Sequence, residues 1–213
     1  MRTLFSTRRS LIIVTTTTAV LLALAVIGVV GLLRGNEPSP APTATPTQWA
    51  PPGDPDVRPS GDGVVFARRA ASVLFDWDTT SHSGPSGIID ALLAVGDPSG
   101  QDMPGLFADA ARYLPTDEQW QQLAEYQTTQ RLEIASAGVP AAWADIQSDT
   151  DNPLPEGTVA ITIEGTRIRE GKWFDQATRK EFPVAFTVFL SCPPATESIC
   201  RLLRLSVLGE PLR

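Results

Sequence analysis

The apolar positions of this chain fall into three regimes. Residues Leu11 to Leu33, LIIVTTTTAVLLALAVIGVVGLL, carry no charge at all. As a helix this run would be about 34 Å long, enough to cross a hydrocarbon core of about 30 Å. From Asp62 to about Leu123 apolar residues recur at helical spacing. From Thr128 onward they alternate, which is the period of strands.

The helical half opens at Asp62, a good N-cap. Phe66, Ala70, Val73, Leu74 and Trp77 then share one face of a first helix. Ile88, Ile89, Leu92 and Leu93 predict a second from about Ser86, ended by Gly96-Asp97-Pro98. A third follows Pro104-Gly105, with Leu106, Phe107, Ala110, Ala111 and Leu114 on its apolar face. Thr116 and Gln119 make a capping box for a fourth, which carries Trp120 and Leu123.

In the second half, Leu132, Ile134 and Ser136 predict a strand, and Pro140 to Ile146 one or two helical turns. Three more strands are predicted on Val159/Ile161/Ile163, Val184/Phe186/Val188/Leu190 and Leu203/Leu205/Val207. Gly165 marks a bend or bulge, and Pro183 fits a strand's first residue. Helices first and a meander afterwards imply an α+β fold. The N-terminal helices pack on one face of a curved antiparallel four-stranded sheet.

Charge orients this layout. Arg2, Arg8 and Arg9 precede the apolar run, and only Arg34 follows it before the acidic Glu37, Asp54 and Asp56. The asymmetry predicts a cytoplasmic N-terminus and an extracytoplasmic remainder. A cleaved signal peptide would have a shorter apolar core and a small-x-small cleavage site, so an uncleaved signal anchor is the better reading. The expected organisation is a tail (1–10), a transmembrane helix (11–33), a Pro/Thr/Ser-rich linker (34–61) and an α+β domain (62–213). In polyproline II form, residues 37–60 would reach about 75 Å, and their composition permits O-glycosylation.

From Asp62 to Arg213 there are 21 acidic and 12 basic side chains, a net of −9. Such a domain is not expected to bind nucleic acid directly, because that affinity rests on basic surface. Cys192 and Cys200 are the only cysteines. In an oxidising compartment they are expected to form one disulfide.

Candidate chemistry is sparse. Val73-Leu74-Phe75-Asp76-Trp77-Asp78-Thr79 mimics the nucleophile loop of haloacid-dehalogenase phosphatases. That chemistry needs a strand before Asp76, and helical spacing predicts a helix end with solvent-facing carboxylates instead. His82, the sole histidine, has Asp78, Ser81 and Ser83 nearby but no nucleophile elbow. Asp97, Ser99 and Asp102 have a vaguely calcium-like spacing that no Glu completes. No cofactor, metal site or catalytic residue is expected, and the chain does not read as an enzyme. What remains is a candidate docking patch, Arg167, Arg169, Lys172, Trp173, Arg179 and Lys180. A hairpin of the second and third strands would gather these at one end of the sheet, to meet an acidic partner or lipid headgroups.

Several stretches together carry a resemblance: LFDWDT (74–79), ALLAVGDPSG (91–100), LPTDEQWQQLAEYQTTQ (114–130), VAITIEGTRIREGKW (159–173), PVAFTVFLSCPP (183–194) and the ending LLRLSVLGEPLR. The chain resembles small membrane-anchored proteins encoded in conjugative and integrative elements of actinobacteria. These are similar in layout to the bitopic scaffold subunit of type IV secretion (conjugation) systems. The resemblance implies a nuclear-transport-factor-2-like outer domain and a single-pass membrane location. It further implies a non-enzymatic scaffold that associates with itself and with other transfer-channel subunits. Two alternatives remain open. One is an extracytoplasmic lipid or small apolar ligand-binding protein of the mammalian-cell-entry-associated type, with an apolar pocket free of buried titratable groups. The other is a small enzyme using Asp76, Asp78 or His82.

Overall fold

The computed structural model describes residues 55–81, 84–174, 176–192 and 199–213. The chain divides into two compact units, Met1–Trp49 and Ala50–Arg213, and all described residues belong to the second. The apolar run 11–33 lies outside the described residues. Among those described, no helix is long and apolar enough to cross a membrane.

Four helices come first: α1 (Gly63–Phe75), α2 (Gly84–Ala94), α3 (Met103–Tyr113) and α4 (Asp117–Glu125). Their starts follow the sequence signals. Asp62 accepts the N–H groups of Val64 and Val65, and both halves of the Thr116/Gln119 capping box form. The apolar face of α3 agrees with expectation at Leu106, Ala110 and Leu114 and differs elsewhere. Its buried residues are Leu106, Asp109, Ala110 and Tyr113, whereas Phe107 is 52% exposed. Asp109 can be buried because Arg204 reaches it through both Nε (2.6 Å) and Nη2 (3.1 Å).

The strands are β1 (Trp77–Asp78), β2 (Thr129–Gly138), β3 (Thr158–Trp173), β4 (Gln176–Ser191) and β5 (Arg201–Leu205), with a short α5 (Trp143–Gln147) between β2 and β3. They form one antiparallel sheet in the order β1-β2-β3-β4-β5, curled into a half-barrel. The sheet thus has five strands, not four. The extra one, β1, is two residues directly after α1 that pair with Thr129 and Gln130, too short to leave an alternation in the sequence.

Gly165 sits opposite a bulge. The β2 register shifts between Ile134 and Ser136 across from it, and a Cβ there would collide with the Glu133 carbonyl oxygen. A second bulge corrects the expected face of β5. Register slips between Phe189 and Leu190, so Leu202 and Leu205 point inward while Val207 is exposed. Pro183 lies inside β4 rather than at its start. It is tolerated because β5 covers only Val188–Ser191, leaving Pro183 on an open edge with no ladder bond to donate.

One core lies between the helices and the inner face of the sheet. Phe66, Phe75, Ile161, Ile163, Phe186 and Leu190 are among its fully buried members. Burial dominates its stability, at about 25 cal/mol per Å² of apolar surface removed from water. The outer face is capped locally by α5, whose Trp143 packs 6.2 Å from Phe189. There Leu212, one residue before the end of the chain, also bonds to Thr162 and Thr187. Cys192 and Cys200 form the expected disulfide, joining the end of β4 to the approach to β5.

Candidate docking and ligand site on the long hairpin

β3 and β4 are sixteen residues each, far longer than the alternation 159–163 suggested. Their outer halves run past the end of β5, and every described side chain of β4 from residue 176 to 183 is exposed, so that half shows no apolar/polar contrast to mark a strand. All six residues of the candidate patch lie on this hairpin. Cross-strand pairing decides which of them meet, since directly paired residues share a face.

The outer face carries Glu170 opposite Arg179, and Ile168 between Arg131 and Glu181. Arg179 contacts Glu170 and Glu181, each at 2.7 Å, and Arg131 contacts Glu170 at 3.1 Å. Those carboxylates raise the Arg179 pKa through hydrogen bonds and charge. Arg179 is therefore already neutralised by its neighbours. Lys172 shares this face near the tip.

On the inner face, Arg167 pairs with Phe182, and Arg169 with Lys180. The Arg167 guanidinium sits 4.9 Å from the Phe182 ring centroid, and that of Arg169 sits 5.3 Å from the Trp77 ring. Trp77 itself is 2% exposed. Arg169 Nη2 donates to Gln130 Oε1 at 2.8 Å, and the buried Gln130 donates in turn to the Phe75 carbonyl at the end of α1. Among the described residues neither Arg167 nor Arg169 has an ion-pair partner. Burial holds both guanidiniums below their ordinary pKa, and the charge of Arg167 lowers Arg169 further.

Arg169 lies at the junction of two hollows. One, of about 400 Å³, is walled by Tyr113, Leu114, Pro115, Leu123 and Tyr126 with the amides of Gln119 and Gln122. The other, of about 330 Å³, runs along the hairpin past Lys180, Trp173 and Phe182. A half-buried arginine thus stands in the wall of both hollows.

At the tip, Trp173 stacks on Tyr126 with ring centroids 5.1 Å apart, and Phe174 meets Trp173 edge-on at 5.2 Å. Trp173 is half-exposed and Phe174 87% exposed. Phe174 also has φ of +47°, a left-handed conformation costing a non-glycine residue on the order of 1–2 kcal/mol. Sequence reasoning singled out Trp173 but not Phe174 or Tyr126. The latter lies just past α4, 47 residues away in sequence, and only the fold brings it to the tip.

The remaining sequence candidates are dispersed. Asp76 follows α1, so the strand that a phosphatase nucleophile requires is absent at that place. Neither carboxylate faces solvent as expected. Asp76 is mostly buried and accepts the Leu132 N–H at 2.6 Å, and Asp78 is buried and accepts from Thr80. Burial pushes the Asp76 pKa up to about 6, against the opposing pull of Leu132, Ser72 and Arg131. His82 and Ser83 lie outside the described residues. Asp97 and Ser99 bond to one another in an exposed turn, and among the described residues no group of three potential metal ligands occurs.

No protein-family model matches the chain, and no curated protein or solved structure matches it either.

Proposed function

We propose that this chain is a non-enzymatic, membrane-anchored scaffold component of a conjugative DNA-transfer apparatus of the type IV secretion kind. It acts through protein–protein contacts of its extracytoplasmic domain. On this reading residues 11–33 span the cell membrane once, and the described α+β unit is a nuclear-transport-factor-2-like cone. Its partners are further copies of itself and other channel subunits, with no direct contact to DNA.

The observation that carries the reading is the hairpin tip. Tyr126, Trp173 and Phe174 form a solvent-facing aromatic cluster, and Phe174 is held in a costly conformation while contributing little to the core. Large aromatics presented this way are the residues that dominate protein interfaces. Backbone strain of this kind concentrates where a segment has a task beyond folding.

The test is site-specific photo-cross-linking from position 174 in cells carrying the native element, with mass spectrometry of the products. Cross-links to a second copy or to other transfer subunits, together with loss of transfer in Trp173→Ala/Phe174→Ala, are the expected outcome. A folded, membrane-inserted variant with undiminished transfer and no cross-linked partner would overturn the proposal.

A further inference from the structure

We propose that Arg169, with Arg167 beside it, forms a binding site for a small amphiphilic anion. The ligand's carboxylate or phosphate head would meet the Arg169 guanidinium, and its apolar body would lie along Leu114, Pro115 and Leu123. The site does not depend on the scaffold reading, because it rests on Arg169 and the hollow beside α4 and shares only Tyr126 with the hairpin tip.

Three observations converge on it. First, both arginines are half-buried, and among the described residues neither has a carboxylate partner, although the domain carries an excess of acidic groups. A desolvated cation is costly unless an anion compensates it. Elsewhere on the same hairpin Arg179 has two carboxylates within 2.7 Å, so the inner pair stands apart.

Second, N–H donors are left over. The Nε atoms of Arg167 and Arg169 are buried and make no hydrogen bond to another protein group, and the same holds for Trp77 Nε1, whose ring lies beneath Arg169. Buried donors are satisfied in the great majority of cases, so three in one neighbourhood are unusual. Each guanidinium is a planar fork whose geometry fits carboxylate and phosphate oxygens.

Third, the space fits. The hollow of about 400 Å³ falls in the range of small-molecule sites. Among the described residues, Arg169 is the only charged one in its wall; the rest are apolar, aromatic or amide. A single cation in a wall of amides, tyrosines and a few apolar side chains favours a single negative charge on a body that is only partly apolar. Gln130 fixes the Arg169 head from behind, through its own bond to the Phe75 carbonyl, so the fork is pre-oriented.

The test uses the full chain in nanodiscs of neutral phosphatidylcholine, titrated by calorimetry with octanoate, octyl phosphate, octanol, acetate and inorganic phosphate. Octanoate or octyl phosphate should saturate one site, with octanol, acetate and phosphate each on the order of tenfold weaker or more. Arg169→Gln should lose about tenfold in octanoate affinity, and Arg169→Lys should retain part of it. Should Arg169→Gln fail to fold, the octanoate/octanol ratio on the unaltered chain decides alone.

Repeating the titration in discs containing phosphatidylglycerol separates two sources of the anion. Competition there identifies a lipid headgroup, whereas unchanged binding identifies a free amphiphile; either supports the site. Equal affinity for octanol and octanoate, no saturable binding, or full octanoate affinity in a folded Arg169→Gln would overturn it.

Discussion

Asp109 on α3 and Arg204 on β5 form a two-point ion pair whose partners differ sharply in exposure. The Asp109 side chain is 4% exposed and that of Arg204 is 48%. Asp109 also accepts the Leu205 N–H at 3.2 Å, so one carboxylate ties a helix to a strand in three places. Gly105 makes room for it, since a Cβ there would come within 2.8 Å of the guanidinium.

The asymmetry predicts unequal costs for breaking the pair. Arg204→Ala leaves the buried carboxylate with only the Leu205 N–H and the exposed Arg112 at 3.7 Å, and should lose about 3 kcal/mol. Asp109→Asn keeps an acceptor for Leu205 and lets Arg204 turn to water, at roughly 1–2 kcal/mol. Urea denaturation of both single variants and the double variant gives the order. Equal costs would show that the buried carboxylate is not the expensive partner.

Asp76 makes stability depend on pH in an uncommon direction. Its carboxyl titrates near 6 in the folded protein against an ordinary value of 3.8, so the native state holds the proton more tightly. Its contribution is fully present below about pH 4 and is lost as pH rises through 6. Asp76→Asn retains an acceptor for the Leu132 N–H and removes this slope. We expect the variant to be more stable at pH 7 by about 1–3 kcal/mol. Thermal melts of both proteins from pH 4 to 8 measure the difference, and parallel curves would refute the assignment.

Gly165 admits no side chain. Gly165→Ala drives a methyl into the Glu133 carbonyl at the β2 bulge, where backbone rather than a flexible side chain must yield. A loss of about 2–3 kcal/mol is expected, read as a lowered unfolding midpoint. Gly138, with open space around its Cβ position, is the matched control and should tolerate alanine far better.

The Cys192–Cys200 bond closes a short loop, for which chain entropy gives about 2.5 kcal/mol. Reduction should lower the unfolding free energy extracted from a denaturant melt by about that amount while leaving the five-stranded sheet intact by circular dichroism. Loss of the sheet on reduction would assign the bond a larger role.

Local signals carried the helix starts, because Asp62 and the Thr116/Gln119 pair act within one turn of themselves. The face of α3 was legible in part: Leu106, Ala110 and Leu114 are buried as their spacing predicts, and Phe107 is not. Asp109 looks like a surface residue until Arg204, 95 positions away, is brought to it. The faces of β5 depended on a single inserted residue, which reverses an alternation from that point on. For the candidate site, spacing drew attention to Arg167 and Arg169 but grouped them with Arg179. Only cross-strand register separates an arginine held by two glutamates from two that have none. Trp77, Gln130 and Tyr126 join the site from other elements, and no linear pattern announces them.

The segment entering the domain is fastened before α1 begins. Val57 is 1% exposed, Arg69 Nη1 grips the Pro59 carbonyl at 2.8 Å, and the Cys200 N–H holds the Ser60 carbonyl at 2.8 Å. Any pull arriving along the chain from its N-terminal side therefore meets this clamp, backed by a covalent bridge, before it can peel the first helix. In an optical trap, reduction of the bridge should lower the rupture force for pulling from the N-terminal side; an unchanged force would mean that the load runs elsewhere. A domain fastened in this way hands the tension to the ends of β4 and β5, which the disulfide ties together, rather than to the first turn of α1.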